Sequence, residues 1–407
     1  MNAPKMPASR MDLTAYESRL ARPTIAKIPE FEHNGRLKHV LFAQQFSRED
    51  LDRLADTATQ IRAISRTKTG CEFLKDLLSH KRAMLYFTQA STRTFLSFEA
   101  ACQILGLTTS DIRDPSVSSE YKGESPLDSI RMFSSYFDVI VMRSSAANFA
   151  ECSAYLMNDL AQFNQRNVPI INAGSGADEH PTQALLDIYT LQRSFALEST
   201  KDSSQWTRFN DLRRKYPGLT KGLDDKVCGF CGDIGRGRTV RSLSILLTLY
   251  NNVTLYFIAP DHPKLKLSPE MHARLSDAGV TVREASSIAD VIDKLDVLYM
   301  TRIQHEHDTE EDARFFAKPE NTASFKLRAE DVARMKEYAV IMHPFPRNDE
   351  IPTEIDTDPR AMYFRQARNG MWIRAAVLAS VFNVDSKIAT YHAKNFSTFH
   401  DYNVGAL

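Results

Sequence analysis

Short apolar runs alternate with amphipathic stretches along most of the chain, and this pattern predicts strands followed by helices. In the first half, apolar strands are predicted within residues 82–87, 139–142 and 168–174. In the second half, the corresponding runs are residues 227–232, 253–259, 297–300 and 339–343. Strands that alternate with helices form parallel sheets. We therefore predict an α/β protein with two doubly wound parallel-sheet domains and an active-site cleft between them.

Helical patterns follow several of these runs. One helix has a clear predicted start, because Ser47 can cap it and Glu49 and Asp50 place acids in its first turn. Further helices are predicted at residues 95–105, 184–192 and 370–382.

The pattern divides the chain into an extension, two domains and an insertion. The extension covers residues 1–37, and we expect it to be disordered or loosely docked. The first domain covers residues 38–190, and a late helix at 370–390 packs back on it. A polar stretch at residues 191–226 reads as an inter-domain insertion, and the second domain covers residues 227–369.

Composition excludes several classes of protein. Lys plus Arg and Asp plus Glu both number 51, so no net charge draws the whole chain to nucleic acid or membrane, and any anion site must be local. No apolar stretch approaches the ~20 residues that span a bilayer, and the N-terminus lacks the apolar core of a secretory signal. We expect a cytoplasmic protein, although the basic N-terminus faintly suggests an organelle transit peptide.

The five cysteines form no disulfide framework, which predicts reduced thiols. Cys228 and Cys231 have C-x-x-C spacing but lie in an apolar run, so they indicate a buried strand more than a redox or metal site. We predict no cofactor and no metal.

Polar groups follow the strands of the first half. Residues 91–94 (Ser-Thr-Arg-Thr) offer hydroxyls, helix-start amides and a guanidinium, which together suit a phosphate. Arg143 directly follows a buried strand, and His180 and Gln183 follow the next. Taken singly, each has an ordinary structural explanation: an N-cap with a solvated arginine, a salt bridge at the rim, or a structural histidine.

The second half shows the same arrangement. The loop at residues 232–239 presents Arg238 and lacks the G-x-G-x-x-G spacing of a dinucleotide site. Arg302 and Gln304 end another strand, and prolines fix the loop at residues 343–347 with free backbone carbonyls. Each could be a βα loop with incidental charge. Together with Arg93 and Arg143, however, these arginines supply the positive charge needed by one phosphate and two carboxylates.

A series of short motifs, in order over residues 38–385, resembles the aspartate/ornithine transcarbamoylase family. They lie at residues 91–94, 122–124, 142–143, 172–174, 180–183, 237–239, 300–304 and 343–347. The aspartate branch fits better than the ornithine branch. Ornithine-type members carry a Cys in the loop at 343–346 and a Ser-Met-Gly segment that this chain lacks, and Arg302 with Gln304 suits a carboxylate side chain.

The resemblance implies transfer of the carbamoyl group of carbamoyl phosphate to the α-amine of L-aspartate, a step of pyrimidine biosynthesis. The residues implied to hold the phosphate are Ser91, Thr92, Arg93 and Thr94. Those implied to contact the carbamoyl group are Thr94, Arg143, His180 and Gln183. Those implied to bind aspartate are Arg238, Arg302 and Gln304, with the backbone carbonyls of Pro344 and Phe345 orienting the amine. The family's catalytic unit is a trimer, which implies that Ser118 and Lys122 enter the adjacent subunit's site.

The chain departs from the branch's usual pattern at several places. Phe95 stands where an Arg is usual, Tyr121 where a Lys is usual, and the extension and the 193–226 insertion have no counterpart in compact members. Two alternatives therefore stay open. One is a relative with another amino-acid acceptor, or a non-catalytic relative acting as partner or scaffold. The other is a nucleotide-dependent oxidoreductase using the loop at Gly232. A regulatory partner is also compatible with the sequence.

Overall fold

The apolar runs of the two halves form two separate parallel sheets in a computed structural model of the chain. The structure describes residues 13–114, 123–175, 179–196, 211–212, 214–220, 222–305 and 308–396. These residues divide into two compact units. The first runs up to Leu185 and resumes at Gly370, and the second is Leu186–Asn369.

The strands, in chain order, are β1 (Glu32–His33), β2 (Arg36–Leu37), β3 (Arg82–Phe87), β4 (Thr108–Ile112), β5 (Val139–Arg143), β6 (Ile170–Asn172), β7 (Val227–Cys231), β8 (Thr254–Ile258), β9 (Thr281–Ala285), β10 (Val297–Met300) and β11 (Val340–Met342). The first unit contains a parallel sheet of order β4-β3-β5-β6 and the β1-β2 hairpin. The second contains a parallel sheet of order β11-β10-β7-β8-β9. The predicted α/β class is confirmed.

The α-helices are α1 (Glu17–Leu20), α2 (Thr24–Lys27), α3 (Arg48–Ile64), α4 (Lys68–Leu77), α5 (Thr92–Leu105), α6 (Pro126–Tyr136), α7 (Phe149–Ala161), α8 (Pro181–Ser194), α9 (Arg238–Leu247), α10 (Pro269–Asp277), α11 (Glu310–Phe316), α12 (Ala329–Arg334), α13 (Tyr363–Val381) and α14 (Asp385–Phe396). The predicted cap of α3 is present. Ser47 Oγ accepts from the Asp50 amide at 3.1 Å, and the Asp50 carboxylate accepts from the Ser47 amide at 3.0 Å.

Three helices begin earlier than predicted. Helix α8 begins at Pro181 instead of residue 184. Helix α5 begins at Thr92 instead of residue 95, because Ser91 has extended backbone and the three residues after it form the first helical turn. Helix α13 begins at Tyr363 instead of residue 370. Its first turns bury the polar residues Gln366 and Asn369, which have hydrogen-bond partners in α8 and therefore do not interrupt the packed face.

Two edge strands, β4 and β9, were not predicted. Both carry mainly exposed or half-exposed side chains, so neither shows the apolar run that marks a central strand of a parallel sheet. The central strands β3, β5, β7 and β10 are buried almost throughout.

The expectation of a loose N-terminal extension is wrong for residues 13–37. Tyr16 stacks on Tyr155 of α7 with ring centroids 5.8 Å apart. Lys27 Nζ lies 2.8 Å from the Glu151 carboxylate, and each side chain is only 5% exposed. A buried ion pair and a stacked aromatic pair dock this segment on the first unit.

Cys228 and Cys231 both lie buried in β7, as their apolar surroundings predict. Burial raises the pKa of both thiols far above the usual range, so they stay protonated. Among the residues that the structure describes, no group of three His, Cys, Asp or Glu side chains could hold a metal ion. No helix in the same residues has the length and apolar character needed to cross a membrane.

Candidate active site

The loops after β3, β5 and β6 lie at one edge of the first sheet, because parallel strands end on the same side. Phe87 pairs in register with Arg143, and Met142 with Asn172. The Gln89 amide then donates to the Arg143 carbonyl at 3.2 Å, which fixes the loop after β3 against the end of β5. This is the edge at which open α/β sheets bind ligands.

The first of these loops leads into the N-terminus of α5. Ser91 is the N-cap residue, with φ −165° and ψ 92°, and its side chain makes no cap hydrogen bond. Thr92 and Arg93 are exposed in the first turn, whereas Thr94 is buried. The uncapped first-turn amides, the helix dipole and the Arg93 guanidinium are the features that hold a phosphate.

Arg143 and His180 meet at the next two loops. Both are buried. A Cβ placed on Gly174 would stand 2.9 Å from Arg143 Nη1 and 2.7 Å from His180 Cδ2, so the two side chains adjoin over this glycine. Arg143 Nη1 also donates to the Ala173 carbonyl at 3.3 Å. A guanidinium and an imidazole side by side can stabilise a developing oxyanion.

Asn172 shapes the loop that brings them together. Its Oδ1 accepts from the amides of Gly174 and Ser175, each at 2.9 Å. Its Nδ2 donates to the carbonyls of Leu41 and Glu179, at 3.2 and 3.4 Å. No role was predicted for this residue, although an Asn two residues before a Gly is a common sign of such a side-chain turn.

His180 and Gln183 sit at the start of α8. The His180 carbonyl accepts from the Gln183 amide at 3.0 Å, so the histidine directly precedes the first helical turn and Pro181 occupies its first position. Gln183 is 9% exposed. These two predicted residues and Arg143 are therefore placed by neighbouring strands of one sheet.

In the second unit, Asp233 organises the loops after β7 and β10. This carboxylate is fully buried. It accepts from the Gln304 amide at 3.1 Å and from Arg236 Nε at 2.9 Å, and Arg236 reaches on to Asp308 at 2.8 Å. Burial alone would raise the pKa of Asp308, but the hydrogen bonds from Arg236 and His305 hold it below its ordinary value.

Asp233 and Arg236 were not predicted, because nothing in the sequence shows that an acid after a strand will be buried. Their contacts also argue against the alternative of a nucleotide-dependent oxidoreductase that uses this loop. Asp233 Oδ1 accepts from the Arg236 amide at 3.2 Å, so the loop's own carboxylate already takes an amide of the kind that cradles a pyrophosphate.

Arg238 and Arg302, which are predicted to bind the substrate aspartate, are half-exposed at the ends of these strands. Arg238 is the first residue of α9 and directly follows Gly237. Arg302 follows Thr301, whose hydroxyl donates to the Cys231 carbonyl at 3.0 Å and accepts from the Asp233 amide at 2.9 Å. This bridge fixes the ends of β7 and β10 together.

The loop after β11 holds Pro344 and Phe345. Phe345 has φ +54°, a left-handed conformation that bulky residues rarely adopt. Its amide donates to His343 Nδ1 at 2.8 Å, so the proton of a neutral His343 is on Nε2, which lies 2.7 Å from the Glu350 carboxylate. Burial would raise the pKa of Glu350, but the hydrogen bond from His343 lowers it below its usual range.

Some predicted residues are not placed. Ser118, Tyr121 and Lys122 lie outside the described residues, as does much of the 193–226 insertion. Phe95 is placed. It is 5% exposed, makes an edge-to-face contact with Phe87 at 5.5 Å, and lies under the Arg113 guanidinium at 4.6 Å.

Both halves of the chain match models of one protein family. Residues 38–193 match the family model described as aspartate/ornithine carbamoyltransferase, carbamoyl-P binding domain. Residues 224–381 match that of the Asp/Orn binding domain. The chain therefore belongs to the aspartate/ornithine carbamoyltransferase family.

The relatives that the chain resembles indicate the aspartate branch of the family. A chloroplastic aspartate carbamoyltransferase of Pisum sativum is 38% identical over 349 residues, covering 84% of this chain and 78% of that protein. The aspartate carbamoyltransferase catalytic subunit of Methanobrevibacter smithii is 34% identical, covering 86% and 96%. Both relatives belong to the aspartate branch.

Solved structures give the same result. The catalytic subunit of M. jannaschii aspartate transcarbamoylase is 33% identical with a TM-score of 0.68, covering 85% of this chain and 98% of that one. The Trypanosoma cruzi enzyme in complex with N-(phosphonacetyl)-L-aspartic acid is 33% identical with a TM-score of 0.69, covering 84% and 95%.

Proposed function

We propose that the protein is an aspartate carbamoyltransferase, which converts carbamoyl phosphate and L-aspartate to N-carbamoyl-L-aspartate and phosphate. The observation that carries this proposal is the meeting of Arg143 and His180 over Gly174, at the same sheet edge as the loop that leads into the N-terminus of α5. The reaction passes through a tetrahedral oxyanion, and these are the donors that such an oxyanion requires.

The first substrate is held by the first unit. The phosphate binds the amides at the start of α5 with Ser91, Thr92, Arg93 and Thr94. The carbamoyl oxygen faces Thr94, Arg143 and His180, and Gln183 holds the carbamoyl amide. Each donor aimed at the developing charge typically contributes about 3–4 kcal/mol.

The second substrate is held by the second unit. Arg238, Arg302 and Gln304 bind the aspartate carboxylates, and the carbonyls of Pro344 and Phe345 orient the amine. The neutral α-amine attacks the carbamoyl carbon and forms the new C–N bond. The bond from that carbon to the bridging oxygen then breaks, and the departing phosphate takes the amine proton. Holding both reactants in place supplies much of the acceleration.

The assembly proposed is a homotrimer in which Ser118 and Lys122 complete the site of the adjacent subunit. The support for it is the family motif at residues 122–124. We place the protein in the cytoplasm. A regulatory partner is compatible with this assembly. Light scattering of the purified chain tests the trimer. Mixing a Lys122→Ala chain with an Arg93→Ala chain tests sharing, because only shared sites regain activity in mixed trimers.

Steady-state kinetics with carbamoyl phosphate and aspartate test the activity. We expect saturable release of phosphate with formation of a ureido product, and inhibition by a bisubstrate mimic carrying a phosphonate and two carboxylates. L-ornithine serves as the matched acceptor control and should give no product. An inactive wild-type chain, or one that prefers ornithine, would overturn the proposal.

Phe95 keeps one alternative in view, a carbamoyltransferase with another amine acceptor or a non-catalytic relative. At this position the chain has a ring packed in the core in place of a charged side chain. A colour assay for ureido products across a panel of amino acids distinguishes the two. Product with an amino acid other than aspartate supports another acceptor, and no product with any supports a scaffold.

A further inference from the structure

A buried chain of hydrogen bonds leads from Asp187 to the loop that holds Pro344 and Phe345. Asp187 in α8 is fully buried. Its carboxylate accepts from the Tyr299 hydroxyl at 2.8 Å and from Gln366 Nε2 at 2.7 Å. Gln366 Oε1 then accepts from the His343 amide at 2.8 Å. Gln366 and His343 are each only 1% exposed.

The carboxylate fixes which way the Gln366 amide points. The Asp187 carboxyl group accepts from the NH2 group of Gln366 at 2.7 Å, so that NH2 group faces Asp187. The oxygen of the same amide must then face the His343 N–H. A single orientation of this side chain satisfies both neighbours, and it fixes the position of the His343 backbone.

His343 passes this constraint on to Phe345. Its Nδ1 accepts from the Phe345 amide at 2.8 Å, while Nε2 is held by Glu350 at 2.7 Å. Phe345 keeps a left-handed φ of +54°, which costs conformational energy and persists only where the surroundings impose it. The buried hydrogen bonds impose this conformation on Phe345. The direction of the Pro344 and Phe345 carbonyls depends on that conformation.

We propose that Asp187 and Gln366 are positioning residues for the acceptor amine, acting through His343 on the carbonyls of Pro344 and Phe345. The inference rests on the proposed function, in which those carbonyls receive the amine. Neither Asp187 nor Gln366 belongs to the predicted substrate-binding set. Their effect should therefore appear in the use of aspartate and be absent from the binding of carbamoyl phosphate.

The test compares Gln366→Leu with Thr190→Val. Thr190 Oγ1 accepts from Asn369 at 2.9 Å, a buried hydrogen bond between the same two helices, α8 and α13, that does not reach the 343–346 loop. Each substitution removes two buried hydrogen bonds, because Thr190 Oγ1 also donates to the Leu186 carbonyl at 2.7 Å, so both variants should lose thermal stability. Only Gln366→Leu should raise the KM for aspartate, lowering kcat/KM about tenfold or more. The KM for carbamoyl phosphate should stay within about twofold of wild type in both.

Asp187→Asn is the second variant, which keeps the size of the side chain. Its NH2 group can face Gln366, which then turns its Oε1 toward that group and its own NH2 toward the His343 N–H. Two donors then face each other, and the hydrogen bond to His343 is lost. We expect the same shift in aspartate KM, smaller than that of Gln366→Leu. This variant also keeps the inference falsifiable if Gln366→Leu does not fold.

Two failures can be told apart. If the wild-type enzyme does not carbamoylate aspartate, the proposed function fails and this inference fails with it. If the wild-type enzyme is active and Gln366→Leu or Asp187→Asn matches Thr190→Val in aspartate KM, only the positioning role is overturned. The bond would then serve packing alone.

Discussion

The side chains of Arg143 and His180 can both approach the same point because the residue beneath them, Gly174, has no side chain. The Cβ of any larger residue at Gly174 would stand 2.9 Å from Arg143 Nη1 and 2.7 Å from His180 Cδ2. Gly174 also has φ +97°, which other residues rarely adopt. The pairing of a guanidinium with an imidazole thus depends on a glycine two residues after the turn-forming Asn172.

Gly174→Ala should therefore damage catalysis more than stability. The new methyl group displaces both donors from the oxyanion, each typically worth about 3–4 kcal/mol, so kcat should fall at least about a hundredfold. The left-handed backbone should cost about 1–2 kcal/mol of unfolding free energy. Steady-state kinetics and urea unfolding measure the two effects.

Gly279→Ala is the matched control. Gly279 has a similar φ of +84°, but nothing lies within 4 Å of its Cβ position. Its alanine variant should show the backbone cost alone, lose less stability than Gly174→Ala, and keep normal kcat. Equal kcat values for the two variants would show that contact over Gly174 does not matter to the reaction.

Arg93→Ala should abolish turnover and leave the fold intact. Arg93 is exposed in the first turn of α5, so its truncation removes little packing but deprives the phosphate of its guanidinium. We expect kcat to fall by at least about 10²–10³, with an unchanged melting temperature. Arg274→Ala, an exposed arginine of α10, is the control. A purified Arg93→Ala enzyme with a near-normal rate would remove Arg93 from the proposed role.

Lys27→Met should destabilise the first unit. The substitution leaves Glu151 buried without the cation that lies 2.8 Å away, and such losses typically cost about 3–5 kcal/mol. Adding Glu151→Leu should recover most of that stability, because the double variant buries no charge at this point. Thermal unfolding of the single and double variants measures both. Wild-type stability in Lys27→Met would mean that the N-terminal segment does not depend on this pair.

The parts of the fold that the sequence predicted are those with a local signal. Residues 82–87 form a buried central strand, and their apolar run is visible in the amino-acid sequence. Edge strand β9 (Thr-Val-Arg-Glu-Ala) has no such run, because its side chains are all exposed or half-exposed. Propensity and periodicity find strands that are buried on both faces and miss those that are not.

The site was predictable to a similar degree. Arg143 could be found because it ends an apolar strand, and the motif order gave it a role. Asp233 and Gln366 could not be found, because each depends on partners distant in the chain. The docking of Lys27 on Glu151 was missed for the same reason. Burial of a polar group becomes visible only when the partner that satisfies it is known.

His39 should make stability fall as the pH is lowered. Its imidazole is fully buried, Nδ1 accepts from the Ile170 amide at 3.1 Å, and Nε2 lies 3.3 Å from Asn158 Oδ1. Burial, helped by the nearby Lys38, lowers its pKa from 6.5 to about 3. Below pH 6.5 the unfolded chain takes up a proton that the folded chain refuses, so the unfolded state gains free energy of protonation. The unfolding free energy should then fall by up to about 1.4 kcal/mol per pH unit until the folded pKa is reached.

His39→Gln isolates this effect, because the glutamine side chain can still accept from the Ile170 amide and does not titrate. At neutral pH the variant should be less stable than wild type, since its fit is poorer. As the pH falls from about 7 to about 5, the gap between them should narrow, because only wild type pays for protonation of the unfolded chain. His33→Gln, at an exposed position of β1, controls for loss of an imidazole from the surface. A gap between wild type and His39→Gln that stays constant across this range would show that His39 does not set the acid sensitivity.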